Sequence, residues 1–308
     1  MNPPSHRPGG LSRLAVWTFV VMLCTTRGAH AQANCRAGVC LDVDENASAV
    51  GFSVANARYI DVTVTVSVKR AENVRSPSYR RLRQTVGPRQ RVSLLVLQPL
   101  DPRKEIEYEY DWDYFVGNPS ATHSDSVRYR LPFEGGTPRL LLQGVGGSFS
   151  HGGAYRYSFD FRMPIGTNVL AARDGTVARV IDGFTRGGPD ARFTDQANLI
   201  TVRHADGTYG EYVHLDPGGI LVKEGEQVLA DQPLAQSGCT GFTSEPHLHF
   251  MVWKATSNGR FETLPIRFDN GTQEGFVPRQ DLWYGTVAAA KAASSEGGGL
   301  EQIGSWDP

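Results

Sequence analysis

Apolar and polar residues alternate along much of this chain with a period of two, the spacing of β-strands rather than helices. Residues 60–69 (IDVTVTVSVK) keep that alternation throughout, which predicts an antiparallel strand with one face in a core. Residues 91–97 (RVSLLVL) predict a second strand, and residues 106–114 (IEYEYDWDY) a third with aromatics on one face and acids on the other. Turn-rich pieces separate these runs and no helical period interrupts them. A small β-sandwich over residues 34–135 follows, with the immunoglobulin-like form as a candidate. The Tyr/Trp stripe on the third strand suits either core packing or a platform for sugar rings.

Residues 131–138 (LPFEGGTP) hold two prolines and a Gly-Gly pair and predict a linker. Beyond it, residues 139–256 again break into short β-rich runs, at 168–172, 176–181, 199–204, 209–215, 220–222 and 247–253. Glycine turns divide them, including Asp174-Gly175, Asp206-Gly207 and Gly218-Gly219. The expected fold class is therefore all-β, an N-terminal sandwich followed by an antiparallel β-domain. Residues 257–308 form a C-terminal extension. Its start packs on the preceding domain, and its end, small and Gly/Ser-rich beyond residue 286, is expected to be mostly disordered.

The sharpest local pattern is Ser244-Glu245-Pro246-His247-Leu248-His249-Phe250. Side chains at i and i+2 of a strand leave on one face, so His247 and His249 point together while Leu248 and Phe250 enter the core. Pro246 suits a strand start, where no ladder donor is needed. Two imidazoles on one face suit a metal, acid/base chemistry, or one of each.

Composition narrows the classes. The chain has 308 residues, 40% hydrophobic and 20% charged, ordinary for a globular protein with a sizeable core. A net charge of −1 with no basic run argues against a nucleic-acid partner. Arg7 and Arg13, the apolar run 14–24 (LAVWTFVVMLC), and Ala29-His30-Ala31 predict a cleaved secretory leader over residues 1–31. Ala31-Gln32-Ala33 is a second candidate cleavage site. The apolar run is too short to span a bilayer, and Leu23 before Cys24 does not fit a lipobox. The expectation is an exported protein with no membrane span, periplasmic or extracellular. Of the 4 cysteines, Cys35 and Cys40 then form a local disulfide, while Cys239 is left as a buried small hydrophobe.

The chain has 8 histidines, two of them in the leader; five of the rest fall in residues 139–256. His151 follows a Gly-rich turn. Asp160 sits between aromatics in Tyr157-Ser158-Phe159-Asp160-Phe161, where an unpaired carboxylate would be costly. His214 ends the run 209–214 (YGEYVH). A catalytic zinc needs three protein ligands and one open position. His151, Asp160 and one of His247 and His249 can supply the ligands, leaving His214 and the other histidine for acid/base work. His204, beside the Asp206-Gly207 turn, is expected to be structural, and His123 to lie at the surface.

These segments, taken together, resemble the M23 family of zinc metallopeptidases, the lysostaphin-like cell-wall endopeptidases. The likeness runs from about residue 148 to 252. It includes Ser150-His151, Asp160, Met163-Pro164-Ile165-Gly166-Thr167, Ala171-Ala172-Arg173-Asp174-Gly175-Thr176-Val177, Tyr212-Val213-His214-Leu215, and Pro246-His247-Leu248-His249-Phe250. The resemblance implies one Zn²⁺ per chain held by His151, Asp160 and His249. It implies that His214 and His247 deprotonate the attacking water and stabilise the tetrahedral intermediate. It further implies hydrolysis of peptidoglycan stem peptides or crossbridges. The His151-to-Asp160 gap is longer than the H-x-x-x-D form of the polyglycine-cleaving members, which points away from polyglycine. Cys239 stands where a small polar residue is more usual.

Two other classes remain. A catalytically silent M23-like module could bind peptidoglycan or activate an amidase, although all five site positions are filled here. Residues 219–228 (GILVKEGEQV) resemble the hairpins of biotinyl and lipoyl carriers. Those carriers need a lysine at the hairpin tip, whereas Lys223 lies beside the glycine turn.

Overall fold

The computed structural model describes residues 31–46, 48–75 and 81–285. The predicted leader, Ala31 apart, and the predicted tail lie outside the described residues.

Two sheets make up the N-terminal part. One orders the strands Ala31–Arg36, Val39–Asn46, Ala49–Asn56 and Arg91–Leu97; the other orders Arg81–Val86, Val62–Glu72 and Glu107–Val116. Period-two alternation gives each sheet one apolar face. Leu41, Phe52 and Val54 from the first meet Val62, Val64, Val66 and Trp112 from the second in one buried cluster. The aromatic stripe belongs to this core. Tyr108 and Tyr110 stand edge-on to Phe52, at ring distances of 5.7 and 5.2 Å. Cys35 and Cys40, opposite each other across the first hairpin, are disulfide-bonded.

The second part is built on a long antiparallel sheet. Its strands run in the order Gln227–Val228, Gly175–Ile181, Leu199–Arg203, Tyr209–Val213, His247–Ala255, Ser158–Arg162, Arg139–Gln143 and Trp283–Tyr284. One face buries Phe159, Phe161, Tyr212, Leu248, Phe250 and Val252 in a large core. Two 3₁₀ turns, Gly153–Tyr155 and Ala191–Phe193, are the helical elements among the described residues. None of their helices is long and apolar enough to cross a membrane.

Residues on both flanks of this sheet join its core. Tyr129, Leu131 and Phe133, which precede the exposed turn at 134–138, are fully buried in it. Ile266, Phe268 and Phe276 from the C-terminal extension are buried in it as well.

The two parts meet through a polar lock. The Asp61 carboxylate, 3% exposed, accepts from Arg203 Nε at 2.6 Å and Nη2 at 3.2 Å, and from the Tyr209 hydroxyl. Ile60 packs beside it with Tyr209, Met251 and Trp253. The N-terminal part thereby packs on one end of the sheet face that carries the histidines.

Candidate metal centre

The register of three neighbouring strands assembles the site. In the strand His247–Ala255, Leu248 and Phe250 enter the core, so His247 and His249 face the opposite side. His249 is paired directly with Asp160 on one neighbour and with Val213 on the other. His249 Nδ1 lies 2.8 Å from Asp160 Oδ1, and His247 Nε2 lies 3.8 Å from the same oxygen.

His151 enters from the loop after Arg139–Gln143. Its ring lies edge-on to His249 at 5.3 Å, with Nε2 3.2 Å from Asp160 Oδ2. His151, Asp160 and His249 thus each place a ligand atom within 4.8 Å of the others.

His214 follows Val213, so a regular strand would send its ring to the far face. The backbone instead turns left-handed at His214, with φ +68°. That conformation is rare for a residue with a Cβ and costs on the order of 1–3 kcal/mol. It brings the ring back to the site, 4.6 Å from His247 and 6.1 Å from His249.

Backbone carbonyls set the tautomers. His151 Nδ1 meets Gly144 O at 2.8 Å, His214 Nδ1 meets Thr240 O at 2.7 Å, and His247 Nδ1 meets Glu245 O at 2.8 Å. A carbonyl only accepts, so each Nδ1 carries the proton and each Nε2 is a lone pair. For His151 that lone pair is buried, has no hydrogen bond, and faces a carboxylate oxygen. Two acceptors held face to face in a buried site call for a cation between them, so the residues fit a metal ion.

The electrostatics agree. Burial pushes Asp160 up, but its hydrogen bonding outweighs burial and holds the carboxyl well below its usual range. Burial, with His247 and His249 adding to it, pushes His214 down to about 3. Burial also lowers His249, against the pull of Asp160. The centre thus sets one carboxylate among imidazoles, a donor set suited to zinc and similar divalent ions.

Gln143 was not singled out by sequence. It pairs directly with Asp160 across the strands, and its Nε2 donates to Asp160 Oδ2 at 2.9 Å. The one sequence signal was a polar residue closing the apolar run Leu140-Leu141-Leu142 before the Gly-rich turn.

His204 lies apart from the centre and is buried, its Nδ1 3.0 Å from Thr208 Oγ1. His123 corrects the expectation of a surface residue. Its side chain is 7% exposed, 3.9 Å from Asp206, and it packs beside Tyr129 at 5.9 Å. The reason is that residues 121–133 dock on the second core. Cys239 is free and half-buried rather than fully buried, and burial pushes its thiol up.

Comparison with known proteins bears out the resemblance. Residues 154–261 match the sequence profile of Peptidase family M23. An uncharacterized metalloprotease of Buchnera aphidicola is 39% identical over 95 residues, covering 30% of this chain and 22% of the relative. Peptidoglycan DD-endopeptidase ShyA of Vibrio cholerae is 38% identical over 91 residues, covering 30% and 18%. Glycyl-glycine endopeptidase ALE-1 of Staphylococcus capitis is 36% identical over 117 residues, covering 37% and 29%. The match therefore spans less than a third of each of these relatives.

Proposed function

We propose that this chain, with an M23 peptidase region over residues 154–261, is an exported zinc endopeptidase that cuts peptide bonds of peptidoglycan. The observation that carries the proposal is the closure of His151, Asp160 and His249 around one point, with the free Nε2 lone pairs of His214 and His247 beside it.

His151, Asp160 and His249 would hold the zinc. A bound zinc supplies Lewis-acid polarisation of the scissile carbonyl and acidifies a water from about 15.7 to about 7. The protein supplies the proton chemistry. His214 is neutral across the physiological range, so its Nε2 can take a proton from the attacking water. His247 offers the same atom from the adjacent ring. Whichever ring accepts the proton becomes an N–H donor, able to hold the developing oxyanion and then to protonate the leaving amine. Thr240 and Glu245, through their carbonyls, keep both rings aimed while this happens.

The test separates ligand from catalyst. His249→Ala removes one of three protein bonds to the ion and is expected to lower zinc content and activity together. His214→Ala leaves all three and is expected to keep near-stoichiometric zinc while losing about 10²–10⁴-fold in rate. Zinc is measured by elemental analysis after dialysis, beside the cleavage rate on purified peptidoglycan. Full activity in His214→Ala, or retained zinc and activity in His249→Ala, would overturn the assignment. A zinc-loaded wild type that cuts no wall preparation would favour the silent binding module.

A further inference from the structure

We infer that Gln143 is a positioning residue for the metal centre, a single amide that fixes the orientation of Asp160 and the approach of His151 at once. The inference rests on the metal-centre reading above and extends it beyond the five site positions.

The side chain is 7% exposed as part of a buried residue, and every hydrogen-bonding site of its amide is used. Nε2 donates to Asp160 Oδ2 at 2.9 Å and to Ser150 Oγ at 2.9 Å. Oε1 accepts from the backbone N–H of Phe149 at 2.9 Å and of Ser150 at 3.0 Å. An amide has two donor hydrogens and two acceptor lone pairs, so these four bonds exhaust it and fix which way it faces. A flipped amide would aim an oxygen at a carboxylate and an NH₂ at two N–H groups.

The two ends of the amide serve the two halves of the site. The donor end touches the carboxylate that sits between His151 and His249. The acceptor end gathers the loop immediately before His151, whose own N–H bonds to Gly147 O at 3.1 Å. Asp160 Oδ2, which receives Gln143, is also the oxygen facing His151 Nε2. Rotation of the carboxylate is thereby restricted, with Oδ1 left toward His249.

Gly147 supports the same conclusion independently. A Cβ there would stand 2.2 Å from Gln143 Cγ and 2.7 Å from its Oε1. No rotamer of the loop residue relieves that approach, so glycine is required for the Gln143 side chain to lie where it does.

The test uses the full chain and reads metal binding as well as turnover. Gln143→Glu keeps the length and an oxygen for the Phe149 and Ser150 N–H groups, but cannot donate to Asp160 as a carboxylate. Gln143→Met keeps bulk and loses all four bonds. Dissociation constants for zinc are taken by competition with a chromophoric chelator on folded apo protein, and the visible absorption of the cobalt-substituted protein reports ligand geometry. Loss of a hydrogen bond to a metal ligand weakens binding by about 10–100-fold. Both variants are expected in that range with altered cobalt bands, and Gly147→Ala is expected to fall with them. Wild-type affinity and an unchanged cobalt spectrum in both Gln143→Glu and Gly147→Ala would overturn the inference while leaving the proposed function standing. A wild type that takes up no metal would overturn both.

Discussion

Replacing Asp61 by alanine tests how the N-terminal part is held against the sheet that carries the site. The carboxylate is 3% exposed and is the acceptor for two Arg203 bonds and for the buried Tyr209 hydroxyl. Truncating one partner of a buried ion pair costs about 3–5 kcal/mol, because the other charge is left without a partner. Arg203 is 27% exposed and can turn partly to water, which favours the lower end, about 3 kcal/mol. Tyr209 has no such escape, since it is fully buried and would keep only the Asp61 N–H at its oxygen. For a cooperative unit of roughly 150–250 residues, 1 kcal/mol moves Tm by about 2–4 °C, so the expected drop is about 6–12 °C. Calorimetry of Asp61→Ala, Arg203→Ala and the double variant measures it. The coupling between the two positions is expected at about 1–3 kcal/mol. Zinc content is expected to stay at the wild-type level, since neither residue touches His151, Asp160 or His249. A Tm indistinguishable from wild type, or zero coupling, would refute the lock.

The remaining predictions concern thiols and acid. Thiol titration of the unfolded, unreduced protein without the predicted leader, and so without Cys24, is expected to find one free thiol, Cys239, and reduction to release the Cys35–Cys40 pair; three free thiols before reduction would contradict this. Burial, aided by the charge of Arg173, pushes His204 down to about 3 from its ordinary 6.5. Its contribution to stability is thus complete above about pH 6.5 and is lost as pH falls toward 3, by at most about 1.4 kcal/mol per pH unit. Asp206, held low against burial by His123, Thr208 and Arg173, adds to the loss only at the acid end, below its unfolded value of about 3.9. His204→Gln is therefore expected to flatten the Tm-against-pH curve between pH 6 and 4, and an unchanged slope would count against the assignment.

The histidine strand was legible because strand period is local. Alternation alone puts His247 and His249 on one side and Leu248 and Phe250 on the other, and the structure has them so. Asp160 was legible as a carboxylate among aromatics that needed a partner. His214 was legible as a residue type, but its arrival in the site depends on a left-handed backbone at one position, which no periodicity encodes. Gln143 depends on register: only the pairing of its strand with Ser158–Arg162 places it opposite Asp160. The linker read from composition at 131–138 is exposed only over 134–138. Leu131 and Phe133 within it, and Tyr129 before it, pack forward into the second core, because apolar alternation says that a face is buried and not against which sheet. His123 was misjudged for the same reason.

Digestion of purified peptidoglycan, with mass analysis of the released fragments, tests for metal-dependent hydrolysis of its peptide bonds. Fragments carrying one added water at a peptide bond are expected, abolished when zinc is stripped by a chelator and restored when zinc is returned. Fragments that form equally well without metal, or cuts confined to the glycan strands, would contradict it.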